Sequence, residues 1–225
     1  MTARPLAIIG GGEHAVVVLE AARSRPDLWE VVGFTDRVRR SRLATQHGPA
    51  EDLGDDDVLA RRLRDDPDHA PALVLGIGGG TRPGDRASSV ERFGPAVEWA
   101  TIVHASAIVS PSAQLGAGSL VGAGAIVQAG AVVGRHAIVN TGAVVEHDVV
   151  LGDFTHVGPA VAVGGGTRIG ARVFIGLGAR IRDHLTIGDD ATIGMGAVVV
   201  SDVAAGRRVV GVPARDIGRT PDPRE

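Results

Sequence analysis

The chain of 225 residues contains no cysteine, no tyrosine and no lysine. Without thiols, disulfide frameworks, thiolate nucleophiles, acyl-cysteine intermediates and cysteine-ligated zinc or iron–sulfur centres are all excluded. The 23 basic residues are all arginines, scattered among 26 acids for a net charge of −3. No basic stripe results, which argues against a nucleic-acid-binding surface. Aromatics make up 3% of a chain that is 44% apolar. A core of Val, Ile, Leu and Ala is narrow and repetitive, unlike the aromatic-rich interior of an immunoglobulin-like sandwich. No run approaches the roughly eighteen uncharged apolar residues of a membrane helix. The opening MTARPLAIIGGGEHA passes from a short apolar stretch straight into glycines and an acid, unlike a signal peptide. A soluble, cytoplasmic protein without membrane insertion is expected. Glycine is what the chain has in excess: 33 residues, about twice the usual share of roughly 7%.

Those glycines belong to a repeat. From Leu115 the chain reads LGAGSL, VGAGAI, VQAGAV, VGRHAI, VNTGAV, VEHDVV, LGDFTH, VGPAVA, VGGGTR, IGARVF, IGLGAR, IRDHLT, IGDDAT, IGMGAV, VVSDVA. The first position is Leu, Val or Ile in all 15 units, and the second is Gly in 10. The fifth is Ala, Ser, Thr or Val in 14, Leu185 being the exception. Units beginning at Ile102 and Ile108 precede these, with a one-residue slip near Gln114. Strict period six predicts a parallel β-helix, with the aliphatic residue pointing inward, a small residue beside it and glycine taking the strained turn. Three units close a coil of 18 residues, and equal positions stack at the strand spacing of about 4.8 Å, so five coils rise about 24 Å. An interior that thin has no room for Phe or Trp.

Residues 1–100 carry no hexads. LAIIGGGEHAVVVLEAARS reads as strand, glycine loop and helix, with Gly10, Gly11 and Gly12 in the turn. VVGFTD is a second strand ending in Asp36. The polar stretch 37–70 holds a loop and a helix, and ALVLGIGGG is a third buried strand whose loop includes Gly78, followed by Arg82 and Arg86. Strand–helix alternation predicts a small Rossmann-like parallel sheet, whose strand-end loops suit phosphorylated ligands. The glycine motif alone is a weak signal, and a full dinucleotide fold is twice this long. A mononucleotide or nucleotide-sugar fits better than NAD, although the glycines equally suit simple tight turns.

Of the eight histidines, His47 and His69 lie in polar stretches and read as surface residues. His104, at the start of the β-helix, reads as structural or interfacial, and His136 and His184 have no evident acid–base setting beyond Asp183 beside His184. His14 follows the glycine loop, where it either meets a phosphate or caps the helix. His147 differs, because Val145-Glu146-His147-Asp148 sets an imidazole between two carboxylates where the repeat usually has small residues. A carboxylate on one ring nitrogen fixes the tautomer and raises the basicity of the other, which suits a general base; spacing alone equally fits a solvated surface histidine. Eighteen residues beyond His147 is Gly165, so the coil above has no side chain in the way and leaves a backbone N–H for a thioester carbonyl. His156 lies nine residues from His147, half a coil, and faces the other way on one prism.

The hexads resemble the hexapeptide-repeat acyltransferases, and Gly211-Val212-Pro213-Ala214-Arg215 resembles their usual ending. Together with GFTD, the GIG loop, NTGAVVEHD and FTHVGPAVAVGGG, residues 5–215 resemble the sugar acetyltransferases that include sialic-acid O-acetyltransferases and bacillosamine-pathway N-acetyltransferases. The resemblance implies a left-handed parallel β-helix, a homotrimer, acetyl-CoA as donor without a metal, His147 as base and Asp148 as the acid behind it, with Glu146 the other candidate. It also implies that His156 contacts acetyl-CoA; the half-coil spacing then requires His147 and His156 of one site to come from different chains. A uridine nucleotide is implied for the acceptor, held by Gly10, Gly11, Gly12, His14, Asp36 and Gly78. Glu13 departs from the family pattern by placing a carboxylate near that diphosphate.

The expected organisation is a sugar-nucleotide domain over 1–100, a β-helix over 101–215 and a polar tail over 216–225. The expected activity is direct acetyl transfer from acetyl-CoA to the amine of a nucleotide-linked amino sugar. Transfer to a sugar hydroxyl and a non-catalytic sugar-nucleotide-binding protein are the alternatives. A zinc hydratase of the γ-carbonic-anhydrase type needs a histidine pair five residues apart, which the hexads lack.

Overall fold

The computed structural model describes residues 2–36, 51–79 and 83–219. His47, Arg82 and the first part of the loop expected over 37–70 fall outside them. Two compact units divide between Ala105 and Ser106, so the boundary expected at residue 100 falls inside the first unit.

The first unit contains β1 (Arg4–Ile9), α1 (Glu13–Arg23), β2 (Trp29–Thr35), β3 (Glu51–Asp52), α2 (Asp56–Asp65), β4 (Ala72–Leu75), α3 (Pro83–Phe93) and β5 (Ile102–Val103). Four of these strands form a sheet in the order β3-β2-β1-β4, with every pair parallel. Leu6, Ala7, Ile8 and Ile9 are all fully buried in the central strand. Such an unbroken apolar run is what a parallel strand covered on both faces requires. Ala15, Val18, Leu19 and Ala22 form the buried stripe of α1 at helical spacing. The Asp55 side chain caps α2 by accepting from the Val58 N–H at 2.9 Å. Strand order reverses between β1 and β4, so their carboxyl-end loops flank the crevice where open parallel sheets take ligands.

In the second unit, two-residue strands recur every six residues from Ile108–Val109 to Val198–Val199. Each pairs in parallel with a strand eighteen residues away: Ile138 with His156, Val145 with Val163, Leu151 with Ile169. First-position residues from Val121 to Val199 and fifth-position residues from Ser119 to Val203 are buried, forming the parallel β-helix core. Phe154 and Phe174 stay out of it, at a corner and on an outer face. The register runs without the slip expected near Gln114, because Val109 pairs with Val127 and Leu115 with Val133. Ile108 therefore points outward and is 64% exposed. Adjacent aliphatics in Ile108-Val109 suit either phase, and only the pairing decides between them. The expected tail also begins inside a strand, since Arg215–Arg219 folds back antiparallel on Arg207–Val210.

Glycine's place in the hexad differs from expectation too. The left-handed turn falls on the fourth position, with φ of +59° at Asp148, +54° at His184 and +67° at Gly166. Second-position glycines have ordinary φ and are required by close approach. A Cβ on Gly152 would lie 2.5 Å from the Ala171 amide nitrogen of the next coil. Among the described residues, no helix is long and apolar enough to cross a membrane.

Within the first unit, His14 lies in the first turn of α1 under the β4 loop, where a Cβ on Gly78 would come within 3.3 Å of His14 Cβ. Burial, with the Arg86 charge second, pushes its pKa down to about 4. The unfolded chain therefore binds a proton near pH 6.5 that the folded chain refuses until about pH 4. Stability should fall as pH drops through that window, by at most about 3 kcal/mol. Denaturant melts at pH 7 and pH 4.5 should differ by most of that amount in the native protein. His14→Asn should remove the difference.

Candidate active site

Glu146, His147 and Asp148 form the corner between strands Val144–Val145 and Val150–Leu151. Asp148 occupies the left-handed position, which Asp tolerates better than most residues. Its Oδ2 accepts from His147 Nδ1 at 3.0 Å. The Asp148 hydrogen bond first, then the Asp148 and Glu146 charges, raise the His147 pKa above its ordinary value. The two side chains are 60% and 72% exposed. Water screens such a pair, so the bond orients the ring far more than it stabilises the fold. With Nδ1 held by Asp148, the basic nitrogen is Nε2.

Nε2 points at the next coil. A Cβ built on Gly165 would meet it at 2.6 Å. All three glycines of Gly164-Gly165-Gly166 have separate reasons: a Cβ on Gly164 would strike the Asp183 backbone at 2.5 Å, and one on Gly166 the His184 ring at 2.5 Å. At another corner the amides in the same hexad position are taken, Arg135 donating to Asp153 and Ala171 to Asp189 at 2.8 and 2.9 Å. Among the described residues, no acceptor takes the Gly165 N–H. A basic nitrogen beside an uncommitted amide suits attack on a carbonyl, with one group accepting a proton and the other meeting the oxyanion.

His156 sits on the flat sheet opposite this corner, 8% exposed, with Asn140 Nδ2 3.4 Å from its Nε2 and its ring edge-on to Phe174 at 5.3 Å. One prism does not bring it to His147. His136 is buried and stacks on Phe154 at 5.0 Å, a packing role. His69 is a surface residue, bonded to Asp66 at 2.9 Å.

The remaining sequence-derived residues lie in the first unit. Gly10 follows β1 at φ +96°. Gly12 is the N-cap of α1 and makes no side-chain cap hydrogen bond, so His14 is not the cap. Gly11 lies between them, and Gly78 follows β4. Asp36 follows β2 and donates its N–H to the Gly54 carbonyl at 3.0 Å. Sequence reasoning missed the pair that ties this loop down. The Gly10 N–H donates to Thr35 Oγ1 at 3.2 Å, and the Thr35 hydroxyl donates to the buried Asp56 at 2.6 Å. No short motif marks this link, because Asp56 lies 21 residues away on α2.

The dyad geometry carries a direct test. NMR titration should place the His147 midpoint above that of a free histidine. Asp148→Asn should move it down towards the ordinary value, and Glu146→Gln should move it less, because only Asp148 holds the ring nitrogen. Equal shifts in the two variants would show that bulk negative charge sets this basicity.

Comparison with known proteins agrees with the two-unit architecture. Residues 5–81 match the PglD N-terminal domain, and residues 113–147 and 166–201 match the hexapeptide repeat of succinyl-transferase. PerB from Caulobacter crescentus, in complex with CoA and GDP-perosamine, is 38% identical with a TM-score of 0.81, covering 95% of this chain and 97% of that one. A histidine-to-asparagine variant of the perosamine N-acetyltransferase of that organism, with the same two ligands, is 36% identical at the same TM-score and coverage. The acetyltransferase domain of PglB from Neisseria gonorrhoeae FA1090, in complex with acetyl coenzyme A, is 34% identical with a TM-score of 0.83, covering 96% and 100%. No curated protein matches the chain. The chain belongs to the PglD-like family of hexapeptide-repeat sugar acetyltransferases.

Proposed function

We propose that the protein transfers acetyl from acetyl-CoA to the amine of a nucleotide-linked amino sugar, with His147 as the general base. The observation that carries this reading is His147 Nε2 directed at Gly165, whose N–H meets no acceptor among the described residues. The relatives crystallised with CoA and GDP-perosamine support both substrate classes. In the proposed step the sugar amine attacks the thioester carbon while His147 Nε2 accepts the amine proton. The carbonyl oxygen, now negative, receives the Gly165 N–H. Collapse of the intermediate breaks the carbon–sulfur bond, and the thiolate takes the proton from the imidazolium, leaving amide and free CoA. No acyl-enzyme is needed, in keeping with a chain that has no cysteine.

The acceptor's nucleotide is assigned to the first unit, to the loop of Gly10, Gly11 and Gly12, to His14, Asp36 and Gly78. The helix N-terminus that starts after Gly12 and the crevice between β1 and β4 support a diphosphate there. The resemblance suggests a uridine nucleotide, whereas two of the relatives hold a guanosine one, so both belong in the acceptor panel. The half-coil offset of His156 supports a homotrimer in which His156 of one copy meets acetyl-CoA beside His147 of the next.

Two experiments test this reading. A thiol-release assay with acetyl-CoA should show turnover with UDP- or GDP-linked amino sugars. His147→Ala should lower kcat by about 10²–10⁴-fold while CoA binding stays near normal. Turnover only with a free sialic acid would instead establish hydroxyl acetylation, and undiminished turnover in the variant would remove His147 from the chemistry. The second experiment concerns assembly. His147→Ala and His156→Ala, each impaired alone, should regain part of the native activity when co-expressed, because a mixed trimer contains a site with both histidines. No regain from verified mixed trimers would place both groups in one chain's site.

A further inference from the structure

The Gly165-Gly166 step has an imidazole on each side. His147, in the third hexad position, leans forward so that its Nε2 edge overlies Gly165. His184, in the fourth position two coils on, leans back: a Cβ on Gly166 would meet its Nδ1 at 2.5 Å and its Cε1 at 2.7 Å. The same backward lean appears at Asp148, whose Oδ1 would meet a Cβ on Gly130 at 2.6 Å. The turn therefore fixes the direction of fourth-position side chains, and His184 is aimed at the glycines by the backbone. Its N–H donates to the Gly165 carbonyl at 2.9 Å, which ties the His184 turn to the peptide that forms the notch floor. The two imidazoles converge on one backbone step from opposite coils, and both glycines are needed to keep them apart from a Cβ.

Only one wall has a role so far. In the proposed reaction the amine stands between His147 Nε2 and the thioester carbon, whose oxygen meets the Gly165 N–H. The sulfur and its chain then leave on the side away from the amine. At this corner the coil before His147 presents Gln128, Ala129 and Gly130, of which the two beneath His147 and Asp148 carry no polar side-chain group. The coil after the glycines presents Asp183 and His184, both exposed. His184 leans on the glycine step from the side opposite His147, so the sulfur leaving away from the amine is placed beside His184.

We propose that His184 is a donor-binding residue, its imidazole hydrogen-bonded to the thiol arm of acetyl-CoA at the amide nearest the thioester. This rests on the assignment of His147 and Gly165 to the acyl-transfer step, and adds the group that holds the donor in line with them.

The variant His184→Gly removes the imidazole and suits the left-handed backbone, since Gly is the commonest residue in the fourth position. His184→Asn keeps a hydrogen-bonding amide and tolerates that backbone. Calorimetry uses two probes, CoA and the adenosine bisphosphate fragment that lacks the thiol arm. His184→Gly should weaken CoA by about 3- to 10-fold, the range of one hydrogen bond, and leave the fragment unchanged. It should raise KM for acetyl-CoA and not for the sugar nucleotide, and His184→Asn should recover part of the loss. Equal weakening of CoA and the fragment, a rise confined to the sugar-nucleotide KM, or unchanged CoA affinity would each overturn the proposal. His147→Ala assayed alongside separates the two failures: if it loses turnover while His184→Gly binds CoA normally, the reaction reading stands and the His184 assignment falls.

Discussion

Backbone hydrogen bonding between coils governs the second unit. The Val132 N–H donates to the Val149 carbonyl, and Gly134 to Leu151, each at 2.8 Å. The pattern repeats coil after coil, so residue n lies over residue n+18 with no freedom to slide. A one-residue shift would exchange the inward row for the outward row and place Ile and Val in water. Everything else follows from that register. The interior accepts only small and branched aliphatics, the second position must often be glycine to clear the next coil, and each corner becomes a column of side chains in fixed order. A catalytic group in such a column is positioned by arithmetic rather than by packing.

The two units tune their titratable groups by opposite means. His147 is exposed and owes its raised pKa to a hydrogen-bonded carboxylate, with burial opposing the shift. His14 is held neutral by burial, with the Arg86 cation adding to the effect. Burial also lowers Arg86 itself, to about 10. The first arrangement costs the fold almost nothing and, in the proposed reaction, serves the base. The second links folding of the first unit to pH. There the glycine loop is anchored by buried polar groups, Thr35 and Asp56, whose hydrogen bonds would be expensive to leave unmade.

How much of this was legible in the sequence depends on range. Period six exposed the coil, its core rows and the Gly165 position over His147, because those relations repeat at fixed spacing. The dyad was legible because Glu146-His147-Asp148 breaks a small-residue pattern. Two adjacent aliphatics at 108–109 hid the phase, since hydropathy does not distinguish Ile from Val. Glycine abundance pointed to strained turns, yet the second-position glycines answer a steric contact eighteen residues away that only the stacked coils create. The Thr35–Asp56 link was out of reach, as it joins a strand end to a helix start across a polar stretch without periodicity. His184 was within reach of the same arithmetic that found Gly165, since Gly166 lies eighteen residues before it.

Two corners of the prism use the same left-handed turn for opposite ends. At one, the fourth-position column runs Gly118, His136, Phe154, Arg172, Asp190. His136 is buried and stacks on Phe154 with rings 14° apart, and Arg172 reaches Asp190 through two hydrogen bonds of 2.7 and 2.8 Å. Non-glycine residues in this backbone cost about 1–2 kcal/mol each, and contacts between successive coils offset that cost. At the other corner the column runs Gly130, Asp148, Gly166, His184, and the third-position column runs Ala129, His147, Gly165, Asp183. Glycine interrupts both columns at one coil, so neither imidazole stacks on a neighbouring side chain. A column optimised for stability would fill that gap, as the first corner does. Leaving it open forgoes stacking on both sides. The fold tolerates this because its stability lies in the interior rows, which run unbroken past Val163 and Thr167, so the corner is free to serve chemistry.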